Sequence, residues 1–419
     1  MRPEVRMARY VEALVRWGQG HLTCIEAAEL LGISERHFRR LRDVYEAKGA
    51  EGLIDKRRGR KSGRQSATDQ IEFVLDQFRT RYFDFTVKHF HEAITKEFGF
   101  KLSYTWTKTI LQQRGLVRVS TKRSAHRKKR PRKPLAGMML FQDGSTHEWL
   151  VDQPPLDLIV TLDDATSEMT SIFLVEEEGT LSSFRGLHET IVRKGLFSSF
   201  YTDRGSHYFE TPAAGGKVSR FPSTQVGRAL AELKIEHIAS YSPEGRGRME
   251  RVFGTLQKRL PPVLRLARIT TVDAANRYLA EYYIHEHNAR FGVAAAEGGS
   301  AFVPFAGNLR DVLCIRHERV VGNDNCVRYA KLFLQIPEQA HRRHFVKTKV
   351  KVHEYPDGTL AIFHGPRKLA DYNPDGTPNT EGAGTASRPN RSAAAPVDLW
   401  RTPKAFPTRP TGTTAEADI

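Results

Sequence analysis

Three acidic residues occupy positions from which their carboxylates could meet. Asp143 lies in the first predicted strand of an α/β region, Asp203 ends its fourth strand, and Glu250 begins a long helix. The ends of neighbouring parallel strands lie side by side, and a helix packed across them can supply a third carboxylate. Three such carboxylates repel one another unless divalent cations bind between them. Mg²⁺ prefers oxygen ligands, and two such ions about 3.5–4 Å apart can catalyse phosphoryl transfer.

Other acids compete for these roles. Asp163 and Asp164 end the second predicted strand and could approach the same point. Glu244 precedes the helix near two glycines, so its backbone is loosely fixed, whereas a helical Glu250 can be held in one rotamer. The residue types therefore favour Glu250 over Glu244 and leave the choice among the aspartates open.

The elements that would position these acids are predicted for residues 137–292. Three strands in series are followed by strands that alternate with helices, which indicates a mixed α/β sheet. The strand candidates read MMLFQDGSTHEWL, LDLIVTLDDATSEM, TSIFLVEEE, LFSSFYTDRGSHYF and IEHIAS. The helix of Glu250 is expected to break near Pro261 and Pro262, because proline lacks the amide hydrogen that a helix interior needs.

The N-terminal region predicts a helix-turn-helix. Thr23 and Glu26 have the spacing of a capping box, Gly32 can end the helix, and Ser34 can cap the next one. Helix, glycine turn and helix form a DNA-binding pattern when the second helix is basic. Its basic positions are Arg36, His37, Arg39, Arg40 and Arg42, of which the first four are our predicted DNA contacts.

Further helical and basic segments follow. Residues 1–64 are assigned to the helix-turn-helix with its basic arm, which adds Arg57, Arg58 and Arg60 to the DNA contacts. Residues 65–120 predict a second helical DNA-binding domain, with Thr86 and Ser103 as caps. Residues 121–136 form a basic linker that is too charged to pack a core, and Lys128, Lys129 and Arg130 are its predicted phosphate contacts.

The C-terminal part returns to strands. Residues 303–370 predict a small β-barrel, and a Pro-Asp-Gly turn between two alternating segments indicates a hairpin. Residues 371–419 are rich in Pro, Gly, Thr and Ala, a composition typical of a disordered tail. The fold class is therefore multidomain: an all-α N-terminal region, an α/β core, a small C-terminal barrel and a disordered tail.

Charge and composition restrict the class of partner. Lys and Arg total 65 against 48 Asp and Glu, a net charge of +17, which points to an anionic polymer. The three cysteines, Cys24, Cys314 and Cys326, have neither disulfide nor zinc-finger spacing. The sequence has no signal-peptide core and no apolar run of the ~20 residues that span a bilayer, so we expect a cytoplasmic protein without a membrane partner.

Several segments around the acids resemble the DDE transposase and retroviral-type integrase catalytic core, which has a ribonuclease H-like fold. The similarity covers most of residues 10–365 and is most specific around Glu250. The segments that carry it are QDGS, LIVTLDDATS, TDRGSHYF and YSPEGRGRMERVFGTLQKRL. Together they most resemble bacterial insertion-sequence transposases of the ISNCY group.

The resemblance implies roles for the acids. In ribonuclease H-like folds the first ligand comes from strand one, which favours Asp143 over Asp163 and Asp164. Asp143, Asp203 and Glu250 would then be both catalytic residues and ligands of Mg²⁺ or Mn²⁺, with two ions expected. Two positions depart from the family, since Arg204 and Arg246 stand where asparagine is frequent. Glu250 also follows Asp203 by 47 positions, a spacing longer than that of the compact family members. An inserted loop at residues 210–224 accounts for the difference.

The function that follows is a DNA transposase. The N-terminal modules would bind the ends of a mobile element, and the core would hydrolyse phosphodiesters and then join the ends to target DNA. Arg246 and Lys258 are predicted to hold phosphates beside the reacting bond. The resemblance also implies a homodimer or larger synaptic complex at the bacterial nucleoid. Two alternatives are a catalytically silent DNA-binding regulator that descends from a transposase, and a nuclease that cuts without joining.

Overall fold

A computed structural model describes residues 3–54, 68–119, 130–210, 218, 223–241 and 243–379, without the side chains of 243–246. Several predicted segments therefore lie outside the described residues: the basic arm, most of the linker, most of the inserted loop and the tail beyond Asn379. The chain divides into two compact units, Met1–Asp76 and Gln77–Ile419. In the described residues no helix is both long and apolar enough to cross a bilayer.

The first unit begins with three helices. They are α1 (Pro3–Gly18), α2 (Cys24–Leu31) and α3 (Glu35–Lys48), and a 3₁₀ turn follows at Ala50–Leu53. The capping box of Thr23 and Glu26 is confirmed, as are the left-handed Gly32 at φ 65° and the Ser34 cap. Ala27, Ala28 and Phe38 pack with α1 in one buried core, so a short glycine turn fixes α3 against α2.

Three more helices precede the first strand in the chain. They are α4 (Thr68–Thr80), α5 (Val87–Phe98) and α6 (Tyr104–Gln113). The predicted caps are confirmed, because Thr86 accepts the His89 amide and Ser103 accepts the Trp106 amide. Burial, with smaller contributions from Arg259 and Arg290, lowers the pKa of His89 to about 3, so this histidine is a neutral core residue.

A five-stranded mixed sheet forms the centre of the second unit. Its strands are β1 (Leu140–His147), β2 (Leu156–Asp163), β3 (Met169–Val175), β4 (Ser199–Thr202) and β5 (Glu236–Ala239). Their order in the sheet is β3-β2-β1-β4-β5. The first three strands pair antiparallel, whereas β4 runs parallel to both β1 and β5. The predicted mixed α/β sheet is confirmed.

Helices cover both faces of this sheet. Side chains of α7 (Thr180–Lys194) and α8 (Gln225–Glu232) share one core with Leu140 and Phe200. The opposite core contains Phe141 and the buried side chains of α9 (Pro243–Leu266). Since successive strand residues face opposite sides, β1 contributes alternately to the two cores.

The expected break in α9 is wrong. The helix continues through Pro261 and Pro262 to Leu266. Leu256, Leu260 and Leu264 are all buried on one face in the same core, on both sides of the prolines. This packing offsets the roughly 3 kcal/mol that an interior proline costs a helix.

The edge strand β3 is covered by two asparagines of one interrupted helix. That helix consists of α10 (Val272–Tyr278), a π-helical segment (Leu279–Tyr283) and α11 (Ile284–Phe291). Asn276 accepts the Leu174 amide at 2.6 Å and donates to the Leu174 carbonyl at 2.9 Å. Asn288 makes the same pair of bonds to Met169, both at 2.8 Å.

The π-helical segment aligns these two asparagines. They are twelve residues apart, which in a regular helix would leave them about 120° apart around the axis. A π-turn accommodates one extra residue, so the pair behaves as if about eleven regular positions separated it and faces one way. Eleven helical steps and the five strand steps from Met169 to Leu174 both span about 16–17 Å.

The C-terminal region is β-rich, as expected. After α12 (Leu309–Val312) come six strands: β6 (Ile315–Val320), β7 (Cys326–Tyr329), β8 (Leu332–Gln335), β9 (Lys349–Glu354), β10 (Leu360–His364) and β11 (Arg367–Tyr372). The predicted hairpin joins β9 to β10, with Gly358 at φ 79°. The described strands form a four-stranded sheet and a two-stranded ribbon around one core, without a closed ring. The last strand reaches Tyr372, beyond the expected start of the tail.

We predict that Asn288→Ala lowers the free energy of unfolding by about 1–3 kcal/mol, because it removes two hydrogen bonds from the edge of a buried strand. Asn288→Asp keeps the acceptor for the Met169 amide and should lose less. Deletion of Ala280 should cost at least as much as Asn288→Ala, because it rotates one asparagine away from β3. Urea unfolding measures all three.

The control for this series is His285→Ala, which changes an exposed residue of the same helix. Equal stability of Asn288→Ala and His285→Ala would contradict the role of the asparagine pair.

Candidate active site

The pairing of β1 with β4 brings two of the predicted acids together. Leu140 lies opposite Phe200, and Phe141 lies opposite Tyr201, in parallel register. Asp143 and Asp203 each lie two residues beyond the last paired residues, Asp143 within β1 and Asp203 just after the end of β4. Neighbouring strands are about 4.8 Å apart, so the two backbones are close enough for the carboxylates to act on one group.

Both aspartates belong to the face of the sheet that α9 covers. The rings of Phe141 and Tyr201 meet edge to face at 5.3 Å beside the core of α9. Asp143 and Asp203 each lie two residues beyond one of these rings, which places them on the same face. Asp143 is only 8% exposed, whereas Asp203, just after β4, is half-buried.

The turn after β4 fixes Asp203. Its Oδ1 accepts the Gly205 amide at 2.9 Å, and Thr202 Oγ1 lies 3.0 Å from both the Asp203 carbonyl and His237 Nε2. Burial, with a smaller contribution from the nearby His207, lowers the pKa of His237 to about 4. The imidazole is therefore neutral near pH 7 and supports the turn without adding charge.

Glu250 lies on α9, next to the buried Met249, and its own side chain is exposed. Two helical turns later, Gln257 Nε2 donates to Ser145 Oγ at 3.1 Å, two residues beyond Asp143 on β1. Since seven residues make almost two full turns, Glu250 and Gln257 occupy the same flank of α9. Within the described residues, however, no three acids, histidines or cysteines lie close enough to hold one metal ion.

The donor set of Asp143 and Asp203 fits Mg²⁺. Mg²⁺ usually binds one or two carboxylates and completes its octahedron with waters and substrate phosphate, so a fully protein-made cage is not needed. Asp143 on β1 and Asp203 just after the adjacent β4 are both oxygen donors, and their mutual repulsion favours a cation between them. In the described residues, Glu250 does not form a metal-binding cluster with these two aspartates.

The competing aspartates are filled by protein donors. Asp163 lies opposite Leu140, about 10 Å along β1 from Asp143. Its two oxygens accept backbone amides, from Gly137 at 2.7 Å and from Ala165 at 2.8 Å. Asp164 is fully buried and pairs with Arg130 at 2.5 Å. The side chain of Glu244 lies outside the described residues.

A further carboxylate, Glu178, stands beside β1 and was missed by the sequence analysis. A Cβ on Gly144 would overlap the Glu178 carboxylate, so the glycine next to Asp143 makes this approach possible. Glu178 also lies 3.6 Å from His207 Nε2. Burial, together with the charges of Glu178, Asp143 and Asp203, raises the pKa of Tyr208 well above its usual value. The glycine in QDGS was the available signal.

The predicted DNA contacts differ in their surroundings. Arg36, His37, Arg39 and Arg40 are exposed on α3, and Arg39 pairs with Glu35 at 2.5 Å. In contrast, Arg42 lies over the Trp17 ring, half-buried and paired with Asp43. Six further predicted DNA contacts lie outside the described part of the chain: Arg57, Arg58, Arg60, Lys128, Lys129 and the side chain of Arg246.

The cations of α9 fall into two groups. Arg248, Arg259 and Arg265 pair with Asp164, Glu92 and Asp84 respectively. Arg251 and Lys258 are exposed, and neither has an ion-pair partner within the described ranges. These two lie seven residues apart and therefore share one outward stripe of the helix.

The chain is similar to a domain family and to two solved structures. Residues 11–61 match the model of a helix-turn-helix domain. The integrase catalytic core domain of HTLV-2, solved in complex with magnesium, is 18% identical over 35% of this chain and 84% of that one, with a TM-score of 0.27. The simian T-cell lymphotropic virus intasome matches 62% of this chain and 84% of its own, at 14% identity and a TM-score of 0.32.

Two curated relatives share most of their length with this chain. The transposase for insertion sequence IS1202 of Streptococcus pneumoniae is 26% identical over 82% of this chain and 81% of its own. The putative transposase y4bF of Sinorhizobium fredii is 31% identical over 358 residues, which are 84% of this chain and 77% of that protein. Identity at this level over this coverage places the chain in a family: it belongs to the transposases.

Proposed function

We propose that this transposase is of the DDE type, with a ribonuclease H-like core of the ISNCY group. It binds the ends of a mobile element and catalyses metal-dependent hydrolysis of phosphodiesters and their transfer to target DNA. The observation that supports this best is the parallel pairing of β1 with β4, whose last pair lies two residues before Asp143 and Asp203 on the face covered by the helix of Glu250. Side-by-side carboxylates beneath a helix with exposed cations suit a reaction at DNA phosphates.

In this proposal the residues of the chain hold and orient the reacting groups. Asp143 and Asp203 are the ligands of Mg²⁺ or Mn²⁺, which when bound would activate the attacking oxygen and stabilise the leaving one. The Gly205 amide keeps Asp203 in one orientation. Gln257 holds α9 against β1, so that Glu250 stays on the flank from which it can complete the site once DNA is bound.

DNA recognition is assigned to the N-terminal modules. α3 offers Arg36, His37, Arg39 and Arg40 to the major groove, and the basic arm and linker follow the phosphates. A mobile element has two ends, so we propose that a homodimer or larger complex brings both together. The exposed stripe of α9, Arg251 and Lys258, would contact the backbone next to the reacting phosphodiester.

We predict that Asp143→Asn and Glu250→Gln each abolish metal-dependent nicking and joining while end binding stays within a few fold. The reason is that each substitution removes one charged metal ligand and leaves the DNA-binding surfaces intact. DNA that carries the sequence flanking the gene is incubated with protein and Mg²⁺ or Mn²⁺. Products are followed on a gel, and binding is measured by mobility shift.

The matched control is Asp152→Asn, an exposed residue at φ 60° in the β1–β2 turn, a conformation that asparagine also tolerates. It should retain full activity. Binding without product under either metal in the wild type would exclude the proposed catalytic activity and favour the silent regulator. Nicking without joining would favour a nuclease. Equal losses of binding and cleavage in Asp143→Asn would contradict its role as a ligand.

The stripe of α9 leads to a second prediction. Arg251→Ala and Lys258→Ala should each lower the slope of log affinity against log salt concentration by about 0.9, because each removes one phosphate contact. The double variant should lower it by about twice as much. Fluorescence anisotropy with element-end DNA at several salt concentrations measures the slopes.

Lys194→Ala serves as the control, since Lys194 is a surface lysine of the same unit that pairs with Glu168 at 3.2 Å. Its slope should equal that of the wild type. A double variant whose slope is unchanged would show that this face of α9 does not meet DNA.

A further inference from the structure

One buried carboxylate connects the end of the basic linker to the helix of Glu250. Asp164 is fully buried, and its Oδ1 accepts from Arg130 at 2.5 Å and also from Arg248. Its Oδ2 accepts the Lys133 amide at 2.7 Å. Arg248 lies two residues before Glu250 on α9. The same carboxylate thus holds two chain segments that are more than a hundred residues apart.

The linker is fixed at more than one point. Arg132 donates to the carbonyls of Asp164 and Ala165, at 2.8 and 3.2 Å. The Gly137 amide donates to Asp163, and the Arg130 guanidinium lies 5.6 Å from the centre of the Phe141 ring. Residues 130–137 therefore run along the end of β2 as a bound strap.

Arg248 also binds the linker directly. Its Nη2 donates to the Arg130 carbonyl at 2.7 Å, in addition to the ion pair with Asp164. A guanidinium can make both contacts because its planar fork presents several donors, whereas a lysine ammonium is a compact point charge. Only 15% of the Arg248 side chain is exposed, so water is a poor substitute for these partners.

The balance of charge makes the connection sensitive to each member. Among the side chains that the structure describes, Arg130 and Arg248 pair with the Asp164 carboxylate, and Arg132 donates to its backbone carbonyl. Removal of one partner from a buried ion pair leaves an uncompensated charge. The strap and the segment of α9 that carries Glu250 therefore share one buried carboxylate.

We infer that Asp164, Arg130 and Arg248 form a positioning network that sets the first turns of α9, and with them Glu250, according to how the basic linker is held. The inference rests on the proposed role of Glu250 in catalysis. Arg130 thereby has a role in addition to its predicted contact with phosphate. None of the three needs to touch DNA or metal for this effect.

The test compares Arg248→Gln and Arg130→Gln with Arg265→Gln. Arg265 lies at the far end of the same helix and pairs with Asp84 through two nitrogens, so its substitution removes a similar ion pair at a distance from Glu250. Hydrogen exchange of residues 247–253 is measured for each variant without DNA. Arg248→Gln and Arg130→Gln should each raise it about tenfold, and Arg265→Gln should leave it unchanged.

Activity provides the second measurement. Strand-transfer rates of Arg248→Gln and Arg130→Gln at saturating DNA should fall on the order of 100-fold, a typical effect of a small misplacement. The double variant should be no slower than the worse single one, because both act through Asp164. Arg248→Lys, which keeps the charge and loses the fork, should lie between the wild type and Arg248→Gln. Rates of Arg265→Gln should match the wild type.

The outcomes separate this inference from the proposed function. If the wild type yields no metal-dependent product, the proposed function fails, and hydrogen exchange still decides whether the linker holds α9. Unchanged exchange at residues 247–253 in Arg130→Gln would overturn the network. So would an active wild type whose rate equals that of Arg248→Gln, or a double variant whose losses simply multiply.

Discussion

The parallel pairing of β1 with β4 is the constraint on which the rest of the core depends. It places two carboxylates on neighbouring strands where their charges repel each other, at an energetic cost unless a cation lies near them. Asp143 and Asp203 are held there by the register of Leu140 with Phe200 and of Phe141 with Tyr201. The buried cores on both sides of the sheet stabilise that register. The hydrophobic packing thereby maintains an electrostatic arrangement that would separate in an unfolded chain.

The acids of this region differ in whether protein donors already satisfy them. Asp163 and Asp164 accept several backbone amides and guanidinium groups, so their lone pairs are occupied. The exposed Glu250 and the half-buried Asp203 have room for a further ligand. The arginines of α9 divide in the same way, since Arg248 and Arg259 stabilise the fold while Arg251 and Lys258 face outward. A basic helix can therefore serve both structure and binding.

Local signals were read from the sequence correctly where they act over a few residues. The caps at Thr23, Ser34 and Thr86 depend on neighbours three residues away, and the helices they begin are as expected. The parallel pairing of β1 with β4 is as expected from the neighbouring strand ends. The break expected at Pro261 and Pro262 was wrong, because the packing that keeps α9 helical beyond them involves strands that are distant in the sequence. The position of Glu178 and the linker contacts of Asp164 depend on segments that are distant in the sequence and meet only in the fold. The only local signals for them are Gly144 and the pair Asp163 and Asp164.

The asparagine pair on β3 also affects how the sheet can meet other chains. A strand at the edge of a sheet normally exposes a row of amides and carbonyls to which a further strand can add. Asn276 and Asn288 occupy those groups at Leu174 and Met169, near both ends of the strand. The sheet is thus closed to extension at this margin without being closed into a barrel. A second copy could therefore add a strand at the β3 edge only by displacing Asn276 and Asn288.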